Sequence, residues 1–230
     1  MDSGALIWQK QRPYIELYIF VMKELHVENP DIEKRIQRDV AVAERLWGIG
    51  IRTHIHYLSS PYAVKKKEIM KNIGSLQTRK LFRRGQEVSA DTNDIHVYYI
   101  SQSYLKGGKG SGVIGLYYGG IPKIGRGPSY KILSSKKKYN AIFIGNQPEG
   151  QYILAHEIGH AFFYNHPLLE GYDPETLGRN QPPQIHHPHQ NNLMFSSVPT
   201  DSYQPPRIVT RTQRRMALQS GIVKVISKKR

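Results

Sequence analysis

The segment His156-Glu157-Ile158-Gly159-His160 constrains this chain more than any other stretch. Two histidines four residues apart face the same way on an α-helix, one turn apart, where both imidazoles can reach a single metal ion. Glu157 sits beside the first of them, placed to take a proton from a metal-bound water and later deliver it to a leaving amine. A catalytic zinc takes three protein ligands and keeps a fourth position for water, so a third ligand has to come from elsewhere in the chain.

His166 lies six residues after His160 and shares that metal only if the chain turns sharply just past Phe162. Taken with the downstream segment Asn192-Leu193-Met194-Phe195, the run resembles the metzincin zinc proteases, whose pattern reads HExxHxxGxxH followed by a Met-turn. The resemblance implies Zn2+ held by His156, His160 and His166, Glu157 as the catalytic base, and Met194 as an apolar floor beneath the metal. Where the family has a glycine this chain has Phe163, and a side chain in the left-handed conformation costs about 1–2 kcal/mol. Asn165 tolerates that conformation better and is the alternative place for the reversal. If the turn fails, the cluster His186-His187-Pro188-His189 can supply the third ligand or form a second metal site. Ser196 stands two residues after Met194, where some relatives place a tyrosine, so no phenol ligand is expected.

The fold implied is α+β and metzincin-like. A twisted mixed β-sheet carries two main helices above the cleft, and a small irregular lower subdomain ends in a C-terminal helix. One catalytic domain is expected over 1–230, with an upper part to 166 and a lower part from 167. The patterning agrees. Ile15 to Leu25 is β-prone at its start, and Asn29-Pro30 then opens a helix on which Ile32, Ile36, Val40, Ala43 and Trp47 share a face until Gly48 and Gly50 stop it. Further strands are expected over Ile51–Leu58, Asp94–Ile100, Val113–Tyr118 and Asn140–Ile144, the last leading through Gln147–Gly150 into the histidine helix. By resemblance Val113–Tyr118 is the antiparallel edge strand, beside which an extended peptide can pair through its main chain. His54 and His56 point to one side of their strand and read as a polar face, not a metal pair. Lys106–Gly112 and Gly119–Tyr139 read as loops, the second as a rim of the cleft. Prolines 167, 174, 182, 183 and 188 rule out long elements after the motif. Thr210 and Gln213 form a capping box that opens a last helix, which Gly221 would end. The segment around Phe195 to Pro199 is expected to shape an apolar pocket beyond the metal.

A chain of 230 residues, 39% hydrophobic, can bury an ordinary core. It contains no apolar run of 18 residues, and its start lacks a charged-then-apolar leader, which favours cytoplasm or leaderless export; a trimmed leader would favour secretion. With no cysteine, neither disulfides nor thiolate ligands arise. The net charge of +15 is concentrated in residues 65–138, which hold 16 of the 33 basic side chains and 4 of the 18 acidic ones. Lys65-Lys66-Lys67, Arg79-Lys80, Arg83-Arg84 and Lys136-Lys137-Lys138 fall in apparent loops and could engage nucleic acid or an anionic surface. The expected activity is that of a monomeric zinc-dependent endopeptidase hydrolysing an extended protein or peptide substrate with a Glu-activated water. The rival readings are a silent zinc-containing peptide-binding module and a basic nucleic-acid-associated protein with a structural zinc.

Overall fold

The chain runs through β1 (Tyr14–Met22), α1 (Ile32–Trp47), β2 (Gly50–Leu58), α2 (Leu76–Val88), β3 (Ile95–Ile100), β4 (Gly115–Gly120), β5 (Lys123–Ile124), β6 (Lys131–Ile132), β7 (Tyr139–Gly145), α3 (Ile153–Tyr164), a 3-10 turn (Pro174–Thr176) and α4 (Arg211–Leu218). This computed structural model describes residues 12–22, 25, 30–58, 76–89, 91–100, 115–120, 123–124, 131–132, 139–145, 150–178, 182–196 and 207–225.

Period-two alternation divides the core into two layers. Ile15, Leu17, Ile19 and Val21 of β1, Ile95, Val97 and Tyr99 of β3, and Ile142 and Ile144 of β7 face one side, where α1 and α3 cover them. Phe20, Met22, Tyr98, Ile100, Ala141 and Phe143 face the other, against Leu81 and Phe82 of α2. Because both faces are covered, the central strands read as nearly continuous apolar runs.

The five-stranded sheet has the order β2-β1-β3-β7-β4. β1, β2, β3 and β7 are parallel, and β4 pairs antiparallel with β7 at the edge, Leu116 opposite Phe143. This is the mixed α+β architecture expected from the sequence, with the antiparallel edge strand in the expected place. Gly48 ends α1 in the left-handed conformation, φ 71°, its N–H bonded to the Glu44 carbonyl. Asp31, not Asn29, flanks the start of that helix, and its side chain makes no capping bond. The capping box on α4 is formed as expected, Thr210 accepting from the Gln213 N–H while the Gln213 side chain accepts from the Thr210 N–H. That helix stops at Leu218, short of Gly221.

Two expectations fail here. The stretch containing Arg79-Lys80 and Arg83-Arg84 is not a loop but α2, a helix whose apolar residues are too sparse to announce it. It forms because Leu81 and Phe82 bury against a sheet face built from distant sequence. Within the expected loop Gly119–Tyr139, β5 and β6 pair antiparallel. Lys65-Lys66-Lys67, Lys136-Lys137-Lys138 and the glycine-rich 106–112 lie outside the described residues. His54 and His56 share one face of β2 as expected, stacked on Tyr18 and Phe20, with His54 2.8 Å from Glu16. Among the described residues no helix is long and apolar enough to cross a membrane.

Candidate metal centre

α3 is positioned by the apolar residues around its histidines. Ile153, Leu154, Ile158, Ala161 and Phe162 join the core beneath it, and the Trp47 indole N–H of α1 donates to the Ala155 carbonyl at 2.8 Å. Gly159 allows the next layer to come close: a Cβ there would lie 2.3 Å from Met194 Sδ and 2.7 Å from the Trp47 ring. Fully buried, Met194 therefore packs directly on the helix that carries His156 and His160.

The structure brings together His156, His160 and His186, one nitrogen of each lying within 4.8 Å of the others. His156 and His160 turn their Nε2 atoms toward each other at 3.0 Å, and the His186 ring stacks on His156 and stands edge-on to His160. His156 Nδ1 lies 2.7 Å from the Leu193 carbonyl, which can only accept. Nδ1 therefore carries the proton, and the lone pair of Nε2 faces the cluster. Burial pushes the His156 ring down to about 4, the Leu193 bond opposing this and the neighbouring His186 and Arg207 charges adding to it. His160 is pushed well below its ordinary range by burial, then by His156 and His186, and burial lowers His186 as well. Neutral imidazoles with converging ring nitrogens are the form that binds a metal, and the carbonyl behind His156 is the usual outer partner of a metal-bound histidine. The three side chains could hold a metal ion, and imidazole nitrogens suit zinc, copper, iron or nickel alike. Glu157 is buried on the same helix, one residue from His156.

His166 is not in this group. Phe163 remains helical, fully buried and packed edge-on against Trp47, so α3 continues through Tyr164. Asn165 follows with φ −93°, so neither residue makes a left-handed turn. The reversal comes later, at Glu170 (φ 50°) and Gly171 (φ 94°), where the Gly171 N–H bonds back to the Phe163 carbonyl. Because α3 runs four residues beyond His160, the chain climbs about 6 Å along the axis before it leaves the helix, and His166 follows two residues past the helix end. Its Nδ1 accepts from the Leu168 N–H at 3.1 Å, which leaves Nε2–H to donate to Gln219 Oε1 at 3.3 Å. The spacing expected to make it a ligand instead makes it a tie between the ends of α3 and α4.

His187 and His189 do not join the three histidines: His187 is buried, its Nδ1 accepts from the His189 N–H, and the two rings lie 5.3 Å apart. The expected apolar wall is described only to Ser196, with Phe195 half-buried and bridged to His187. Sequence reasoning missed Asp173 and Arg207 as buried supports of this loop, and it read Gln213 only as a cap and Asn192 only as part of the methionine segment; nothing local marks any of the four as buried. The carbonyl of Leu193 has no sequence signal at all.

No protein-family model matches the chain, and no match is found among curated proteins. Among solved structures the fold is similar to that of metalloproteinase-II from Bacteroides fragilis, with a TM-score of 0.50 and 15% identity over 90% of this chain. The chain spans about half, 53%, of the length of that structure.

Proposed function

We propose that this chain is a zinc-dependent endopeptidase of metzincin type in which His156, His160 and His186 hold the metal and Glu157 is the catalytic base. The observation that carries this reading is the convergence of three neutral imidazoles, those of His156 and His160 buried and that of His186 half-buried, beside a buried glutamate. The reading is supported by Met194 packed against Gly159, where it would serve as an apolar floor, and by the fold likeness to a metalloproteinase. When bound, the zinc ion supplies Lewis acidity and can lower the pKa of a coordinated water to about 7.

The remaining chemistry belongs to the chain. Glu157 takes the proton of the attacking water as it adds to the peptide carbonyl carbon, and returns it to the nitrogen that leaves when the C–N bond breaks. β4, antiparallel at the sheet edge, offers main-chain groups to an extended peptide. Main-chain pairing reads no side chain, so substrate selectivity falls to pockets outside it.

The test is mass spectrometry of a diverse peptide pool incubated with the zinc-loaded protein and, in parallel, with Glu157→Ala. Internal cleavage is expected from the first and a loss of at least about a hundredfold from the second, within the usual weight of a general base. Cleavage indifferent to Glu157→Ala would rule out the assigned base. Zinc binding without cleavage of any peptide or protein would make the chain a silent peptide-binding module.

A further inference from the structure

We propose that Gln213 of α4 is a positioning residue for the metal centre, acting through Asn192 to fix two of the three histidines. This inference rests on the metal-site reading above. Gln213 is fully buried, and its side-chain amide makes four hydrogen bonds to three residues. Its Oε1 accepts from the Thr210 N–H at 3.0 Å and from Asn192 Nδ2 at 3.1 Å. Its Nε2 donates to Asp173 Oδ2 at 2.7 Å and to Asn192 Oδ1 at 3.1 Å. A backbone N–H on one side and a carboxylate on the other leave a single orientation of the amide that satisfies both. Asn192 is fixed in the same way, because its Oδ1 also accepts from the Met194 N–H at 2.8 Å. The two side chains thus form a reciprocal amide pair, locked from outside at three points.

What the pair holds is the segment 192–194, and two histidines are set from that segment. The Leu193 carbonyl orients His156 through Nδ1, and the Met194 carbonyl accepts from the His187 N–H at 2.9 Å, adjacent to His186. Arg207 donates to the Asn192 carbonyl at 3.1 Å and to the Gln190 carbonyl, and the Leu193 N–H donates to the Ile208 carbonyl at 2.8 Å. These bonds hold the main chain of the segment, whereas only the amide pair reaches the Met194 N–H. A buried polar network with every member satisfied specifies one geometry, and removing one member leaves several groups unpaired at once.

The experiment compares the full chain with Gln213→Met, similar in length but unable to make the four bonds, and with Ile222→Ala, a buried apolar truncation outside the network. Zinc affinity is measured by competition with a chelator, and the His156 Nδ1 proton is followed by NMR in the metal-free protein, assigned by its absence in His156→Asn. The expected result is zinc affinity lower by about 10–100-fold in Gln213→Met, with loss or fast exchange of the imidazole proton, and neither change in Ile222→Ala. Unchanged affinity and an unchanged proton in Gln213→Met would overturn the proposal, as would equal losses in Ile222→Ala. If the wild-type chain binds no zinc, the metal reading fails by itself and the imidazole proton alone decides the positioning role. Should Gln213→Met not fold, the isosteric Gln213→Glu, which keeps the acceptor oxygen and loses at least one of the two donated bonds, takes its place with the same expected outcomes.

Discussion

Gly159 carries much of the site's geometry. Any side chain at that position would meet Met194 Sδ and the Trp47 ring inside contact distance, and both neighbours are buried. Gly159→Ala is therefore expected to lower stability by about 1–3 kcal/mol, the range for overpacking a close-packed core, although alanine is the better helix former. Denaturant unfolding at neutral pH reads this directly; a gain in stability would mean that Met194 does not rest on the helix. At this scale the sequence was partly legible. His156, Glu157, His160 and Met194 can be read from spacing because a helix converts i,i+4 into adjacency. His186 could be read only as an alternative, since loop residues have no fixed period. The Leu193 carbonyl could not be read, because a main-chain acceptor is the same for every residue.

Phe163 decides how the element scale differs from the expectation. With an aromatic ring packed against Trp47 in place of a glycine, α3 has no reason to stop, and the chain reverses only at Glu170-Gly171. Placing the metzincin glycine at this position should not create the metzincin turn. Phe163→Gly removes a fully buried ring and is expected to lower stability by about 3–5 kcal/mol without giving His166 a part in metal binding. Thermal unfolding together with metal affinity in Phe163→Gly/His186→Ala checks both halves; recovered binding through His166 would contradict this account. The five strands of the main sheet were legible as short apolar or alternating runs bounded by turn residues, α1 through its unbroken helical period, and α4 through its cap; β5 and β6, two residues each, were not. α2 was not, because Leu81, Phe82 and Val88 make a weak stripe that only the distant face of Phe20, Tyr98 and Phe143 completes.

At the scale of the whole molecule, buried ionisable groups set the response to acid. Burial pushes His96 down to about 4, Asp94 opposing, and neither ring nitrogen has a hydrogen-bond partner among the described residues. Its folded pKa lies below the unfolded 6.5, so its stability is present above pH 6.5 and is lost as pH falls through 4. Asp39 has the opposite sign. Burial raises its carboxyl to about 6 against the pull of Arg35, Arg38 and the Tyr99 hydroxyl, so protonation adds stability as pH falls from 6 toward 3.8. The depressed His156 and His160 share the sign of His96, which makes the metal-free protein acid-labile on balance. His96→Leu is expected to reduce the stability lost between pH 7 and pH 4.5 by about 2 kcal/mol, from the shift of His96 alone. Urea unfolding of both proteins at the two pH values measures this, and equal losses would exclude His96 as a source.

The identity of the third metal ligand bears most directly on the account, because the helix, the loop and the fold all converge on it. Zinc affinity measured for the wild-type chain, His186→Ala and His166→Ala separates the two candidates. One tight site in the wild type is expected, weakened in His186→Ala by more than the 10–100-fold typical of an outer-shell change, and within about threefold of wild type in His166→Ala. Loss of zinc in His166→Ala with retention in His186→Ala would contradict the site described here and return the third ligand to the helix end.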